Sequence, residues 1–172
     1  MNNKLPPKAR ERFERFDSHL PSLDDPTLVV LKGHLLAEEI LENLIKSKCQ
    51  LPEVLDDIEI GFFLKIKIAR ALIGDSHPNG LILPDRIWGM LEALNSLRNE
   101  LAHALEPKKL EAKIQRFISS VPSTNRTNKL KQEPNKAIYA AIVGSLSYFA
   151  CFETIVLTGE IPTRLTESLG ED

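Results

Sequence analysis

Arg98-Asn99-Glu100-Leu101-Ala102-His103 is the stretch of this chain whose residue types and spacing could do chemistry. A histidine titrates near neutral pH, so it can remove or return a proton. An arginine stays charged, and its fork can grip two phosphate oxygens at once. Such a group stabilises the negative charge that grows during phosphoryl transfer. The amide of Asn99 can orient a phosphate or fix a histidine tautomer. The candidate catalytic residues are therefore Arg98, Asn99 and His103.

Helix geometry constrains how they work. At ~100° per residue, positions 99 and 103 share a face, whereas 98 and 103 lie about 140° apart. Arg98 also follows the apolar row of Leu94 and Leu101, so its stem crosses buried or interfacial surface. Either the helix loosens before Pro107, or the two residues meet those of a partner chain. The second case predicts a homodimer with this helix at the two-fold axis. The plain alternative for Arg98 is a structural ion pair with Glu38 or Glu39.

The segment after the hexapeptide is basic. From Lys108 to Lys131 there are seven cations and one acid, Glu111. Lys108, Lys109, Lys113 and Arg116 are the candidate RNA contacts, since a positive local field holds a phosphate backbone in a salt-sensitive way. The alternative is a solvated helix face followed by a loop.

These residues need a scaffold, and the chain has the makings of one. Its 172 residues suit one domain, and 42% hydrophobic with 27% charged residues is a globular balance. Net charge is −2, so affinity for nucleic acid must come from local patches. Two distant cysteines, Cys49 and Cys151, are no disulfide framework and point to a reducing, cytoplasmic setting. Met1 to Arg15 lacks the apolar run of a signal peptide. Ala137 to Phe152 is 16 uncharged residues, against the ~20 that a membrane span needs. It reads as a buried helix, and no membrane association is expected.

Prolines cluster between apolar stretches, which punctuates helices. No strand pattern is present. Lys8 to Phe16 reads as a short charged helix or turn. Asp24-Asp25-Pro26 starts a helix that runs to about Lys48, with Leu28, Leu31, Leu35, Ala37, Ile40, Leu41, Leu44 and Ile45 as its apolar set. Asp56-Asp57 is expected to cap the next helix, with Ile58, Phe62, Phe63, Ile66, Ala69, Leu72 and Ile73 apolar and Gly74 at its end. Pro84-Asp85 opens a third long helix carrying the hexapeptide. Lys108 to Val121 is a fourth, and Lys136 to about Leu157 the last. The expected fold is all-α: an antiparallel bundle of four to five helices. It spans 25–158, with an N-terminal arm over 1–24, a basic loop at 122–135 and an acidic tail over 159–172.

Leu97-Arg98-Asn99-Glu100-Leu101-Ala102-His103 resembles the HEPN superfamily signature: an arginine, a polar residue directly after it, and a histidine four to six residues on. The preceding amphipathic pair also fits the HEPN layout, in Leu31-Lys32-Gly33-His34-Leu35-Leu36-Ala37-Glu38-Glu39 and Phe63-Leu64-Lys65-Ile66-Lys67-Ile68-Ala69-Arg70-Ala71-Leu72. The likeness covers roughly Asp25 to Val121, and it extends to the mannitol-operon repressor family of the same helical fold. It implies metal-independent RNA cleavage by arginine and histidine at the 2′-hydroxyl and scissile phosphate. The products would be 2′,3′-cyclic phosphate and 5′-hydroxyl ends, and the cleft would form between two subunits. It also implies a role as a toxin or phage-defence effector with an antitoxin or regulatory partner. Some HEPN toxins carry a tyrosine two residues after the histidine, modified by a partner nucleotidyltransferase; that position here is Leu105.

The repressor likeness implies a different outcome, a non-catalytic regulator or interaction module. No cofactor is expected. His34 and Glu38, four apart on a helix, have metal-ligand spacing, but no second His or Cys cluster accompanies them, and a polar pair on the surface or at the core edge is the expected reading. The aromatic set Tyr139, Tyr148, Phe149 and Phe152 reads as packing.

Overall fold

The structure is a computed structural model that describes residues 7–20, 25–74, 85–103, 109–122 and 134–159, without the side chains of 7–9, 13, 17, 103 and 134. Among the described residues it is an all-α bundle without strands. Its helices are α1 (Pro7–His19), α2 (Pro26–Lys46), α3 (Phe62–Ile73), α4 (Arg86–His103), α5 (Leu110–Ser120) and α6 (Pro134–Thr158), with a 3₁₀ turn at Pro52–Leu55. The expected loop at 76–80 and the acidic tail lie outside the described residues, as does most of the basic loop.

Local chemistry sets the start of α2. The carboxylate of Asp25 accepts a hydrogen bond from the Leu28 amide at 2.9 Å, and Pro26 occupies the first turn, where its missing N–H costs nothing. The start of α3 differs from expectation. Asp56 and Asp57 do not cap it; the helix begins at Phe62 after Gly61, because the 3₁₀ turn carries the chain past both aspartates. Gly74 ends α3 as expected, at φ 73°, a conformation that favours glycine.

The core forms where α2 lies along α6, with α3 and α4 against α2, α5 against α4, and α1 against α6. Ile40, Leu41 and Leu44 of α2, Ile66 of α3, Leu94 and Leu97 of α4, Phe117 of α5, and Ile142 and Phe149 of α6 are fully buried. Trp88 meets Phe152 edge-on at 5.6 Å, a favoured aromatic geometry. Gly33 lets α2 and α6 approach closely: a Cβ there would stand 2.6 Å from Ile142 Cγ2. By length and composition α6 could cross a membrane; here its Ile138, Ile142, Leu146 and Phe149 face the core.

Several expected core residues are on the surface instead. Leu35 is 62% exposed, and Leu28, Ile58, Phe63 and Leu72 are also exposed. On α2 the expected Ala37, Ile40, Leu41, Leu44 and Ile45 are buried, but in its first turns the stripe runs through Val29, Val30, Gly33, His34 and Leu36 instead of Leu28 and Leu35. On α3 it narrows to Phe62, Lys65, Ile66 and Ala69.

The N-terminal helix is fastened by charge. Arg12 donates from Nε and Nη2 to both oxygens of Glu153, at 3.1 and 2.9 Å, and from Nη1 to Glu39 at 2.6 Å. Phe16 joins the core beside it.

Candidate active site

The core face of α4 carries Ile87, Leu91, Leu94 and Leu97. Turning about that axis, positions 95, 98 and 99 fall on one face by the i, i+3, i+4 rule. Asn95, Arg98 and Asn99 thus form one wall of a cleft of about 880 Å³. The opposite walls are His34, Glu38 and Glu42 of α2, the extended segment 58–61, and Phe62 to Lys65 at the start of α3. Arg98 Nη1 donates to Asn99 Oδ1 at 3.2 Å.

Arg98 has no carboxylate partner among the described residues. Glu38 and Glu39, the carboxylates that sequence offered it, are engaged elsewhere. Glu39 accepts from Arg12 at 2.6 Å and from Arg15 at 2.8 Å. Glu38 pairs with Lys65 at 2.8 Å, and Lys65 also pairs with Glu42. Lys65 is buried, which pushes its pKa down, but its hydrogen bonds to Glu38 and Glu42 carry the net direction up. Its ammonium stays charged between the two carboxylates.

That arrangement decides the His34–Glu38 pair. His34, Glu38 and Glu42 stand four apart on α2, and the Lys65 ammonium occupies the place where a cation would bridge the carboxylates. Among the described residues no group of three His, Cys, Asp or Glu gathers as a metal site. His34 itself is 4% exposed. Its ring lies against Phe62 at 3.9 Å between centroids. Burial, first of all, lowers its pKa from 6.5 to about 4; Glu38 opposes the shift, Arg98 adds to it, Asn95 opposes it and Lys65 adds to it. The imidazole is neutral at pH 7, so its 4.0 Å approach to Glu38 is not an ion pair.

His103 is the last residue of α4, and its side chain lies outside the described residues, as does Lys108. The other basic candidates are on a different side of α4. Lys113 pairs with Glu100 at 2.7 Å and donates to the Ser96 carbonyl at 3.2 Å. Glu100 also accepts from the Lys109 amide at 3.4 Å. The Lys113 hydrogen bond, first of all, holds the Glu100 carboxyl below its usual range against desolvation, with the Lys109 contacts adding to it. Positions 98 and 100 point about 160° apart on the helix, so this pair faces α5 rather than the cleft. Arg116 lines a second groove of about 630 Å³, with Arg86, between α4, α5 and α6. The structure therefore brings Arg98 and Asn99 together and sets Lys109, Lys113 and Arg116 apart from them.

The cleft is not a basic one. Arg98 and Lys65 face Glu38, Glu42 and Glu59, two cations against three carboxylates. A phosphate entering it would meet the Arg98 fork but no net positive field. Exposed Ile58, Phe63 and Leu64 form an apolar rim, and Lys67 Nζ stands 4.9 Å over the Phe63 ring. Sequence reasoning passed over Asn95, Lys65 and Glu42. The signal for Asn95 was available, one turn before Asn99; the pairing of Lys65 with Glu38 and Glu42 joins two helices and has no local signature. Comparison with family models, with curated proteins and with solved structures finds no match to this chain.

Proposed function

We propose that this chain is a metal-independent endoribonuclease of HEPN type, acting in the cytoplasm as a toxin or phage-defence effector. One observation carries the reading: Arg98, beside Asn99 on an open cleft wall, keeps its guanidinium free of any described carboxylate. A buried or half-buried arginine normally finds an acid; one left open in a cleft can take a phosphate in bidentate fashion. In this reading Arg98 holds two non-bridging oxygens of the scissile phosphate and Asn99 fixes the guanidinium. His103 takes the proton from the 2′-hydroxyl as the 2′-oxygen attacks phosphorus. The bond from phosphorus to the 5′-oxygen breaks, that oxygen takes a proton from water, and His103 returns its proton to solvent, leaving a 5′-hydroxyl and a 2′,3′-cyclic phosphate. A second copy of α4 across a two-fold axis would complete the cleft, and Lys108, Lys109, Lys113 and Arg116 would contact flanking RNA, Lys113 by exchanging its Glu100 contact.

The test is cleavage of total RNA in EDTA by wild type beside His103→Ala, with end-group analysis. Cyclic phosphate ends from wild type alone support the reading. Intact RNA in both moves the assignment to a second one, a non-catalytic regulator or interaction module resembling the mannitol-operon repressor family. The apolar rim of Ile58, Phe63 and Leu64 and the excess of carboxylates in the cleft favour that alternative.

A further inference from the structure

His34 is the one imidazole that shares a cleft with Arg98 among the described residues. Its Nε2 is buried and has no hydrogen-bond partner. A buried polar atom without a partner costs stability, and each one in a native fold calls for a reason. Packing is not the reason here. A phenyl ring would lie on Phe62 as well, with no orphaned nitrogen.

The surrounding groups narrow what Nε2 is for. On α2, Glu38 approaches Nδ1, which favours the tautomer with its proton on Nδ1 and leaves Nε2 a bare acceptor. On α3, the Lys65 ammonium is held by Glu38 and Glu42. On α4, the Asn95 side chain is close enough for a long hydrogen-bond contact with the ring that favours its protonated form, but no bond of ordinary length reaches Nε2. Arg98, also on α4, is near enough for its charge to act on the ring. Of the five N–H groups a guanidinium carries, one goes to Asn99. Arg98 is therefore the neighbour with donors to spare.

We propose that His34 is a positioning residue of this site, whose Nε2 accepts a hydrogen bond from the Arg98 guanidinium when that side chain turns to hold a phosphate. Asn99 on one side and His34 on the other then fix the plane of the fork, and three N–H groups remain for the phosphate oxygens. The inference rests on the phosphate-holding part of the proposed function, not on cleavage itself. Burial and two nearby cations keep the imidazole neutral, as an acceptor must be; a protonated ring would have nothing to accept with.

The experiment is nitrogen-15 NMR of the histidine side chains, with His34 assigned by its absence in His34→Phe. The probe is a single-stranded 2′-O-methyl RNA oligonucleotide, which binds without being cut. The His34 Nε2 signal is expected to move upfield as the oligonucleotide saturates wild type, and to stay in place with Arg98→Ala. Saturable binding with an unmoved Nε2 overturns the inference and spares the nuclease reading. A moved Nε2 in a chain that cuts no RNA keeps the inference and overturns the nuclease reading. An oligonucleotide that does not bind overturns both. On cleavable RNA, His34→Phe is expected to fold with undiminished melting temperature, to lose at least about tenfold in kcat through a misplaced fork, and to be partly rescued as His34→Gln. A His34→Phe variant of wild-type kcat and oligonucleotide affinity also overturns the inference.

Discussion

Arg98 and Asn99 are neighbours in sequence, and the guanidinium of one donates to the amide oxygen of the other at 3.2 Å. Consecutive helical residues point about 100° apart, so only side chains that bend toward each other across the cleft mouth can make this contact. It holds the Arg98 fork over the open cleft instead of against a carboxylate.

If the fork stabilises a transition-state phosphate, Arg98→Ala should lower kcat by roughly a hundredfold to a thousandfold, the usual effect of losing one preorganised donor group. Arg98→Lys should recover little, because an ammonium cannot make the bidentate contact. Asn99→Ala should cost less than Arg98→Ala. Single-turnover cleavage of a defined RNA, with circular dichroism to verify folding, measures all three. Equal activity across the series would remove Arg98 from the mechanism.

The depressed pKa of His34 makes a signed prediction for stability. The unfolded histidine protonates near pH 6.5, and the folded one near pH 4. Between those values the unfolded state binds more protons, so stability falls as pH drops through the window. The loss should approach an order of 3 kcal/mol by pH 4, from the size of the shift. Glu38, Glu42 and other carboxylates titrate in the same range, so the useful quantity is wild type minus His34→Phe. Urea unfolding at pH 7, 5.5 and 4.5 should show that difference moving steadily in favour of the variant.

Arg12 should be worth more to the fold than its place near the N-terminus suggests. Its guanidinium spans Glu153 and Glu39, and the Glu153 side chain is only 7% exposed. Arg12→Ala leaves that carboxylate buried and unpaired, at a cost of roughly 3–5 kcal/mol. Arg12→Ala with Glu153→Leu should regain most of it, since two apolar groups can replace a buried pair. Equilibrium denaturation of the two variants decides the matter; a double variant no more stable than the single one counts against it.

Gly33→Ala should destabilise despite the better helix propensity of alanine, which is worth about 1 kcal/mol. The new methyl would press on Ile142 at 2.6 Å, and overpacking of this kind costs about 1–3 kcal/mol. Ile142→Val removes the Cδ1 methyl but keeps the close Cγ2 contact, whereas Ile142→Ala opens the space. A melting temperature rescued by Gly33→Ala with Ile142→Ala, relative to Ile142→Ala alone, would locate the clash between α2 and α6.

Sequence by itself determined the helices and most of their ends. Asp25-Pro26 starts α2 and Gly74 ends α3, because capping and left-handed backbone are local chemistry. Helical spacing also puts Asn95, Arg98 and Asn99 on one face, a signal that was present in the sequence though sequence reasoning passed over Asn95. Sequence named the central core face of both α2 and α3, with Ile40, Leu41 and Leu44 on α2 and Ile66 and Ala69 on α3 buried as expected; what it could not determine was how far that face extends. Leu35, Ile58 and Phe63 are apolar enough for burial yet stand exposed: the 3₁₀ turn delays α3 until Phe62, and the close approach at Gly33 puts that face of α2, not the Leu35 side, against α6. Nor could it tell that Lys65 would bridge Glu38 and Glu42, or that Glu39 would go to Arg12 and leave Arg98 open. Ion-pair partners across helices are chosen by distance in the folded chain, and only tertiary packing sets those distances. The same packing took His34, four residues before a carboxylate, and buried it as a neutral ring with an unpartnered Nε2.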